Sequence, residues 1–149
     1  MKNVVVFDVD GTVAEMGKRK ELLLQKPIDW EKFYNDSFQD DKPIENIINL
    51  VKDMRLCGRE VVFCTARKEK SRLRTGQWIL KNIGLFEKEV LLMRDNDDNR
   101  TDDIVKPEML SKAGYTTDNV LFILEDRARI VKKWRELGFT CLQCAEGDF

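Results

Sequence analysis

The sequence predicts an α/β fold, a mainly parallel five-stranded sheet with helices on both faces, on three observations. Five short apolar runs alternate with stretches that carry apolar residues at helical spacing. Three of those stretches stop at a glycine, at Gly58, Gly84 and Gly138. The strand bodies are apolar while the residues just past them are charged or hydroxylated. That is the pattern of a sheet covered on both faces with its chemistry at the carboxyl edge.

The first strand is Val4–Phe7, followed by Asp8, Asp10, Gly11 and Thr12. Alternate residues of an extended chain share a face, so Asp8 and Asp10 crowd two like charges together. Such a pair calls for a cation or a chemical task. Residues 15–41 form a polar insertion, with a short helix expected around Trp30–Asn35. A helix from about Ile44 to Cys57 places Ile44, Ile47, Ile48, Val51 and Met54 on one face. The second strand, Glu60–Cys64, leads into Thr65, Ala66 and Arg67. A helix from about Ser71 to Asn82 carries Leu73, Trp78 and Ile79. The third strand, Glu89–Met93, gives way to an acidic loop, Asp95–Asp103, that leads to Lys106. A shorter helix follows Pro107, a residue suited to a first helical turn. The fourth strand, Val120–Leu124, ends in Glu125, Asp126 and Arg127. The last helix, Arg127–Leu137, buries Ile130, Val131, Trp134 and Leu137, and Phe139–Cys144 makes the fifth strand.

A chain of 149 residues fits one domain, 1–149, with the insertion at about 15–41 as its elaboration. Hydrophobic residues make up 42% and charged residues 36%, a globular balance with a highly charged surface. The formal net charge of -1 neither requires nor excludes a polyanionic partner. With no histidine, serine–histidine catalysis, cysteine–histidine catalysis and histidine-ligated zinc are all excluded. The apolar run at Val4–Phe7 is too short for a signal peptide and no stretch approaches a membrane span, so a cytoplasmic, non-membrane protein is expected. The four cysteines then read as reduced thiols, and the lone Cys141-Leu-Gln-Cys144 as buried or idle thiols against a metal or redox role.

Several carboxylates at one sheet edge, without histidine, suit a hard cation with oxygen ligands, Mg²⁺ first. Lys106 and Arg67 would hold phosphate oxygens beside it. One aspartate can attack phosphorus while a second moves protons. These residues resemble the haloacid dehalogenase (HAD) superfamily of phosphohydrolases. V-V-V-F-D-V-D-G-T is similar to its first motif, V-V-F-C-T-A-R to its second, the lysine of D-D-I-V-K to its third and L-F-I-L-E-D to its fourth. The resemblance spans nearly the whole chain and implies the superfamily's three-layer Rossmann-like fold, here with a minimal cap.

Within that superfamily the sequence is similar to the phosphatase domain of phage polynucleotide kinase–phosphatases. The features are Arg19 after the first motif, Arg67 closing the second, Arg100–Lys106, the Glu125-Asp126-Arg127 run and the A-E-G-D-F ending. The fourth motif departs from Asp-Asp by carrying Glu125, and no G-x-x-x-x-G-K-S/T kinase loop is present. The resemblance implies Asp8 as nucleophile and Asp10 as general acid–base, with Thr65 and Lys106 on the transferring phosphoryl group. Gly11, Thr12, Arg19 and Arg67 would bind substrate. Mg²⁺ would be held by Asp8, the Asp10 backbone carbonyl and Asp126, with Asp102 or Glu125 just outside those ligands.

The short insertion implies an open site, suited to the end of a polymer. The clusters Lys18-Arg19-Lys20 and Arg67-Lys68 with Lys70, Arg72 and Arg74 are read either as a track for a nucleic-acid backbone or as solvated surface. Trp30, Phe33 and Tyr34 are read either as base-stacking residues or as packing of the insertion. The expected substrate is a 3′-phosphorylated DNA or RNA end, in nucleic-acid repair, with a separate kinase or ligase as partner and a phage setting. A phosphatase for free nucleotides or another small phosphate ester is the alternative on the same machinery. A binding module without turnover fits poorly, because a binder has no need of a general acid.

Overall fold

The computed structural model describes residues 1–36, 40–84 and 90–149, apart from the side chains of Lys18, Asn35 and Asp36. Its five strands are all parallel: β1 (Val4–Phe7), β2 (Glu60–Lys68), β3 (Val90–Arg94), β4 (Val120–Glu125) and β5 (Cys141–Gln143). They lie in the order β3-β2-β1-β4-β5, so the chain winds outward from β1 to both sides. Val4↔Glu60 through Phe7↔Phe63 set the register of β1 on β2, and Phe7 pairs with Leu124 of β4. Among the described residues, four α-helices cover the sheet: α1 (Glu45–Leu56), α2 (Arg72–Ile83), α3 (Asp102–Lys112) and α4 (Ala128–Glu136).

The three layers follow from the alternation within β1. Val5 and Phe7 face one way and pack with Val61, Phe63, Ile48, Val51, Trp78 and Ile79, which is the α1 and α2 side. Val4 and Val6 face the other way and pack with Val62, Leu110, Ile130, Val131 and Trp134, the α3 and α4 side. Both faces of a parallel strand are therefore buried, which requires an uninterrupted apolar run. The reversal of strand order at β1 opens a crevice at the carboxyl ends of β1 and β4.

The insertion leaves and returns at one stem, closed by Glu15 N–H to Lys42 O and Ile44 N–H to Val13 O, each 2.8 Å. It contains a 3₁₀ helix, Gly17–Leu24, and a π-helical turn, Lys32–Asp36, where a short helix around Trp30–Asn35 is expected. Met16, Phe33, Tyr34 and Ala66 form its own small core, with Phe149 packed against them.

Several expectations need correction. The third helix starts at Asp102, not after Pro107, so Pro107 lies inside it. The acidic loop ends accordingly at Thr101, and Asp102 and Asp103 occupy the first helical turn, where the helix dipole favours acids. β2 continues four residues past Cys64, carrying Thr65 and Arg67 within the strand. β5 is shorter than Phe139–Cys144. For the third strand, Glu89 lies outside the described residues. Leu73 is exposed because Thr75, Trp78, Ile79 and Ile83 set the buried stripe of α2, and Leu137 is exposed as the residue capping α4. No helix among the described residues is long and apolar enough to cross a membrane.

Candidate active site

Three elements of the core converge on one cleft. β1 delivers Asp8 and Asp10 just past its last residue, β4 delivers Glu125 and Asp126, and α3 delivers Lys106. All five side chains are buried. Ligand oxygens of Asp8, Glu125 and Asp126 lie within 4.8 Å of one another. Lys106 Nζ sits between two of these acids, 2.7 Å from Asp8 Oδ1 and 2.7 Å from Glu125 Oε2. Thr12 Oγ1 donates toward Asp8 Oδ2 at 3.2 Å and lies 3.5 Å from Asp126 Oδ1.

One lysine cannot neutralise three buried carboxylates. Burial and the Glu125 charge push the Asp8 carboxyl up to about 7, against the pull of Lys106. Burial and the Asp8 charge likewise push Asp126 up to about 7. Burial raises Glu125 as well, while for Lys106 the neighbouring acids outweigh burial and hold the ammonium firmly protonated. Three oxygen donors with excess negative charge fit a hard divalent cation. Gly11 belongs to the same corner: its φ is +81°, and a Cβ there would lie 2.1 Å from Asp126 Oδ2.

Asp10 has different company. Arg67 reaches it with both Nε (3.1 Å to Oδ2) and Nη2 (2.7 Å to Oδ1), and Arg19 Nη2 lies 2.6 Å from Oδ1. Arg19 also binds the Asp41 carboxylate and the Phe33 carbonyl. Burial alone would raise Asp10, but Arg67 and then Arg19 outweigh it and hold the carboxyl well below the usual range. The two carboxylates that open the chain thus sit in opposite fields, one strained upward and one held ionised.

This arrangement places several expected residues differently. Arg19 and Arg67, expected on substrate, are buried and hold Asp10 in place. Thr12, expected on substrate, donates toward the Asp8 carboxylate, and Gly11 packs closely on Asp126. Thr65 is fully buried in β2, its Oγ1 accepting from the Arg67 backbone N–H at 3.2 Å. Asp102, a wall of the same cleft, is bound by Arg94 (2.5 Å), Arg127 (2.7 Å) and the Tyr34 hydroxyl (2.9 Å). Glu125, expected just outside the metal ligands, belongs to the three-carboxylate group itself.

The cleft walls also contain residues that the sequence placed near the site without a catalytic role. Phe33, Tyr34, Arg127 and Phe149 line it. Arg127 lies between the Trp30 and Phe149 rings, 5.1 and 4.9 Å from their centres. Phe33 is buried and Trp30 stacks on Tyr34, so these aromatics mainly pack the insertion. Asp41 and Arg94 carry no local sequence signal; their roles come from partners far along the chain.

The family model of the polynucleotide kinase PNKP phosphatase domain, of HAD type, matches residues 2–149. A protein assigned as a bifunctional polynucleotide kinase/RNA ligase in Autographa californica nuclear polyhedrosis virus is 28% identical over 134 residues, covering 89% of this chain and 18% of that protein. A solved Pnkp1/Rnl/Hen1 complex superposes with a TM-score of 0.79 at 26% identity, covering 99% of this chain and 48% of that one. A second structure, of the Pnkp1/Rnl/Hen1 RNA repair complex, gives 0.78 at 28%, over 98% and 43%. A haloacid dehalogenase-like hydrolase from Streptococcus pneumoniae shares the fold, with a TM-score of 0.65 at 14% identity over 95% of this chain and 84% of its own. The chain spans less than half the length of the first three relatives. The chain therefore belongs to the HAD-type phosphatase-domain family of polynucleotide kinase PNKP, a family of phosphatases.

Proposed function

We propose that this chain removes the 3′-phosphate from polynucleotide ends in a Mg²⁺-dependent reaction through an aspartyl phosphate on Asp8. The observation that carries the reading is Asp8 itself, flanked by Glu125 and Asp126 and touched by Lys106, with Asp10 beside it at the same strand end. An Asp8 oxygen attacks phosphorus and the ester P–O bond breaks. Asp10 gives a proton to the leaving 3′-oxygen, then takes one from the water that cleaves the aspartyl phosphate. The incoming phosphate raises Asp10 from its depressed resting state, because a nearby anion disfavours a second one. Lys106 stabilises charge on the transferring group, and Thr65 serves the same group. Asp8, Asp126 and the Asp10 carbonyl, with Glu125, would hold Mg²⁺, which supplies charge neutralisation at the phosphoryl oxygens.

Partners on this reading are a 3′-phosphorylated DNA or RNA end and a separate kinase or ligase; the relatives' kinase, ligase and repair-complex names support that company. The four cysteines are unpaired, which suits a reducing cytoplasm. Two measurements test the reading. Asp8→Asn should abolish hydrolysis of p-nitrophenyl phosphate with Mg²⁺ while the circular dichroism spectrum stays native; retained turnover removes Asp8 as nucleophile. A 3′-phosphorylated oligonucleotide should react much faster than a nucleoside 3′-monophosphate, with the margin shrinking as salt is added. Equal, salt-independent rates would favour free nucleotides or another small ester.

A further inference from the structure

Outside the catalytic cleft lies a groove of about 270 Å³, and the two share Tyr34, Ala66, Asp102 and Arg127 as walls. Its most distinctive feature is an ion pair between the insertion and β2. Glu31 Oε2 lies 3.3 Å from Lys68 Nζ, and its other oxygen contacts Lys70 Nζ. Lys68 Nζ also donates to Asn99 Oδ1 at 2.8 Å. The other groove cations engage acids outside the insertion: Arg94 and Arg127 on Asp102, Arg100 on Asp98 and Glu108, Arg129 on Asp103. Glu31 comes from the insertion and is itself partly exposed, so its hold on the lysines is the kind solvent and ions readily exchange. Lys68 directly follows Arg67, the residue that grips Asp10, and successive strand residues face opposite ways.

We propose that Lys68, Lys70 and Asn99 form a subsite for a second phosphate of the substrate, and that the Glu31 carboxylate fills it until substrate arrives. This rests on the polynucleotide-end reading and names how such an end is told from a mononucleotide. One anionic oxygen pair between two ammonium groups is equally the geometry of a bound carboxylate or phosphate. The reacting phosphate enters the inner cleft, and the next phosphate displaces Glu31 from the lysines. The substrate class is a phosphomonoester whose leaving group bears another phosphate, either the internucleotide diester of a strand or the 5′-phosphate of a nucleoside 3′,5′-bisphosphate.

The test compares kcat/KM on a 3′-phosphorylated oligonucleotide, a nucleoside 3′,5′-bisphosphate and a nucleoside 3′-monophosphate, for the parent chain, Lys68→Ala and Glu31→Gln. Lys68→Ala should lower the oligonucleotide-to-monophosphate ratio roughly tenfold and reduce the log–log salt slope by about one. Glu31→Gln should raise that ratio severalfold through a lower KM for the oligonucleotide. Thermal unfolding midpoints within a few degrees of the parent establish that both variants fold. If Lys68→Ala slows all three substrates in proportion, or Glu31→Gln leaves the oligonucleotide KM in place, the subsite is wrong. A parent with no preference among the substrates defeats the polynucleotide reading and the subsite together, whereas a strong preference unmoved by either variant defeats the subsite alone. If the bisphosphate responds like the oligonucleotide, the subsite takes any second phosphate; if only the oligonucleotide responds, it takes the diester.

Discussion

A methyl group on Gly11 would press into the Asp126 carboxylate, at a backbone angle that L side chains avoid. Gly11→Ala should therefore cut p-nitrophenyl phosphate turnover by about 10²-fold, the cost of a displacement on the order of 1 Å at a reacting centre. It should also raise the Mg²⁺ concentration for half-maximal rate; an unchanged metal requirement would count against Asp126 as a ligand. Arg67→Lys makes a second prediction. A lysine cannot reproduce the two-point grip on Asp10, so turnover should fall by about 10²-fold and Asp10 should titrate at higher pH in carbon-13 NMR. At this scale the sequence disclosed which side chains gather, since Asp8, Asp10, Lys106 and Asp126 each follow a recognisable strand or motif. It did not disclose which partner an arginine takes. A guanidinium binds carboxylate and phosphate with the same fork, so the grip of Arg19 and Arg67 on Asp10 was not legible in the sequence. The partners of Asp102 were hidden for the complementary reason: Tyr34, Arg94 and Arg127 lie on three separate elements.

α4 owes its place to Trp134, which fills the α3 and α4 side of the core at 1% exposure and meets Phe139 edge-on. Its indole N–H has no hydrogen-bond partner among the described residues. Trp134→Phe removes that unsatisfied donor while keeping a ring, and should cost less than about 1.5 kcal/mol in urea unfolding. Trp134→Ala should cost about 3–5 kcal/mol, the usual toll of an emptied aromatic site. Similar losses from both would mean that the N–H contributes more than its isolation suggests. Helix bodies were legible because their apolar residues recur at helical spacing, and α1, α2 and α4 fall within a residue or two of expectation. α3 was not, because proline ordinarily marks a first turn, yet here the turns before it are held by Asp102 and Lys106. β2 looked shorter than it is for a related reason. Its polar end is extended backbone whose side chains find partners inside the cleft, something no hydropathy pattern signals.

For the molecule as a whole, the buried acids make stability depend on both pH and metal. Asp8 and Asp126 ordinarily titrate near 3.8 but are pushed to about 7 when folded, so the folded chain binds more protons than the unfolded chain between those values. Metal-free protein should accordingly lose thermal stability as pH rises from about 4 to about 7. Asp10 acts oppositely: its ion pairs stabilise above about 3.8, and that gain disappears at more acid pH. In EDTA the melting temperature should peak near pH 5 and decline toward pH 8, and Mg²⁺ should raise it more at pH 8 than at pH 5. A flat profile indifferent to metal would contradict the three-carboxylate site. The global layout was the most legible level, because doubly buried parallel strands leave a repeating apolar signature whose order implies the crevice. The way the insertion and the Glu146–Phe149 stretch close around that crevice was not, since it depends on contacts such as Phe33 with Phe149. Gly147 lies so near the Asp126 carbonyl that a Cβ would come within 2.8 Å, and Phe149 walls the inner cleft. Any peptide joined beyond Phe149, a neighbouring domain in a longer protein or an affinity tag added by cloning, would therefore set off from the doorway of the reaction; a tag fused ahead of the fully exposed Met1 would not.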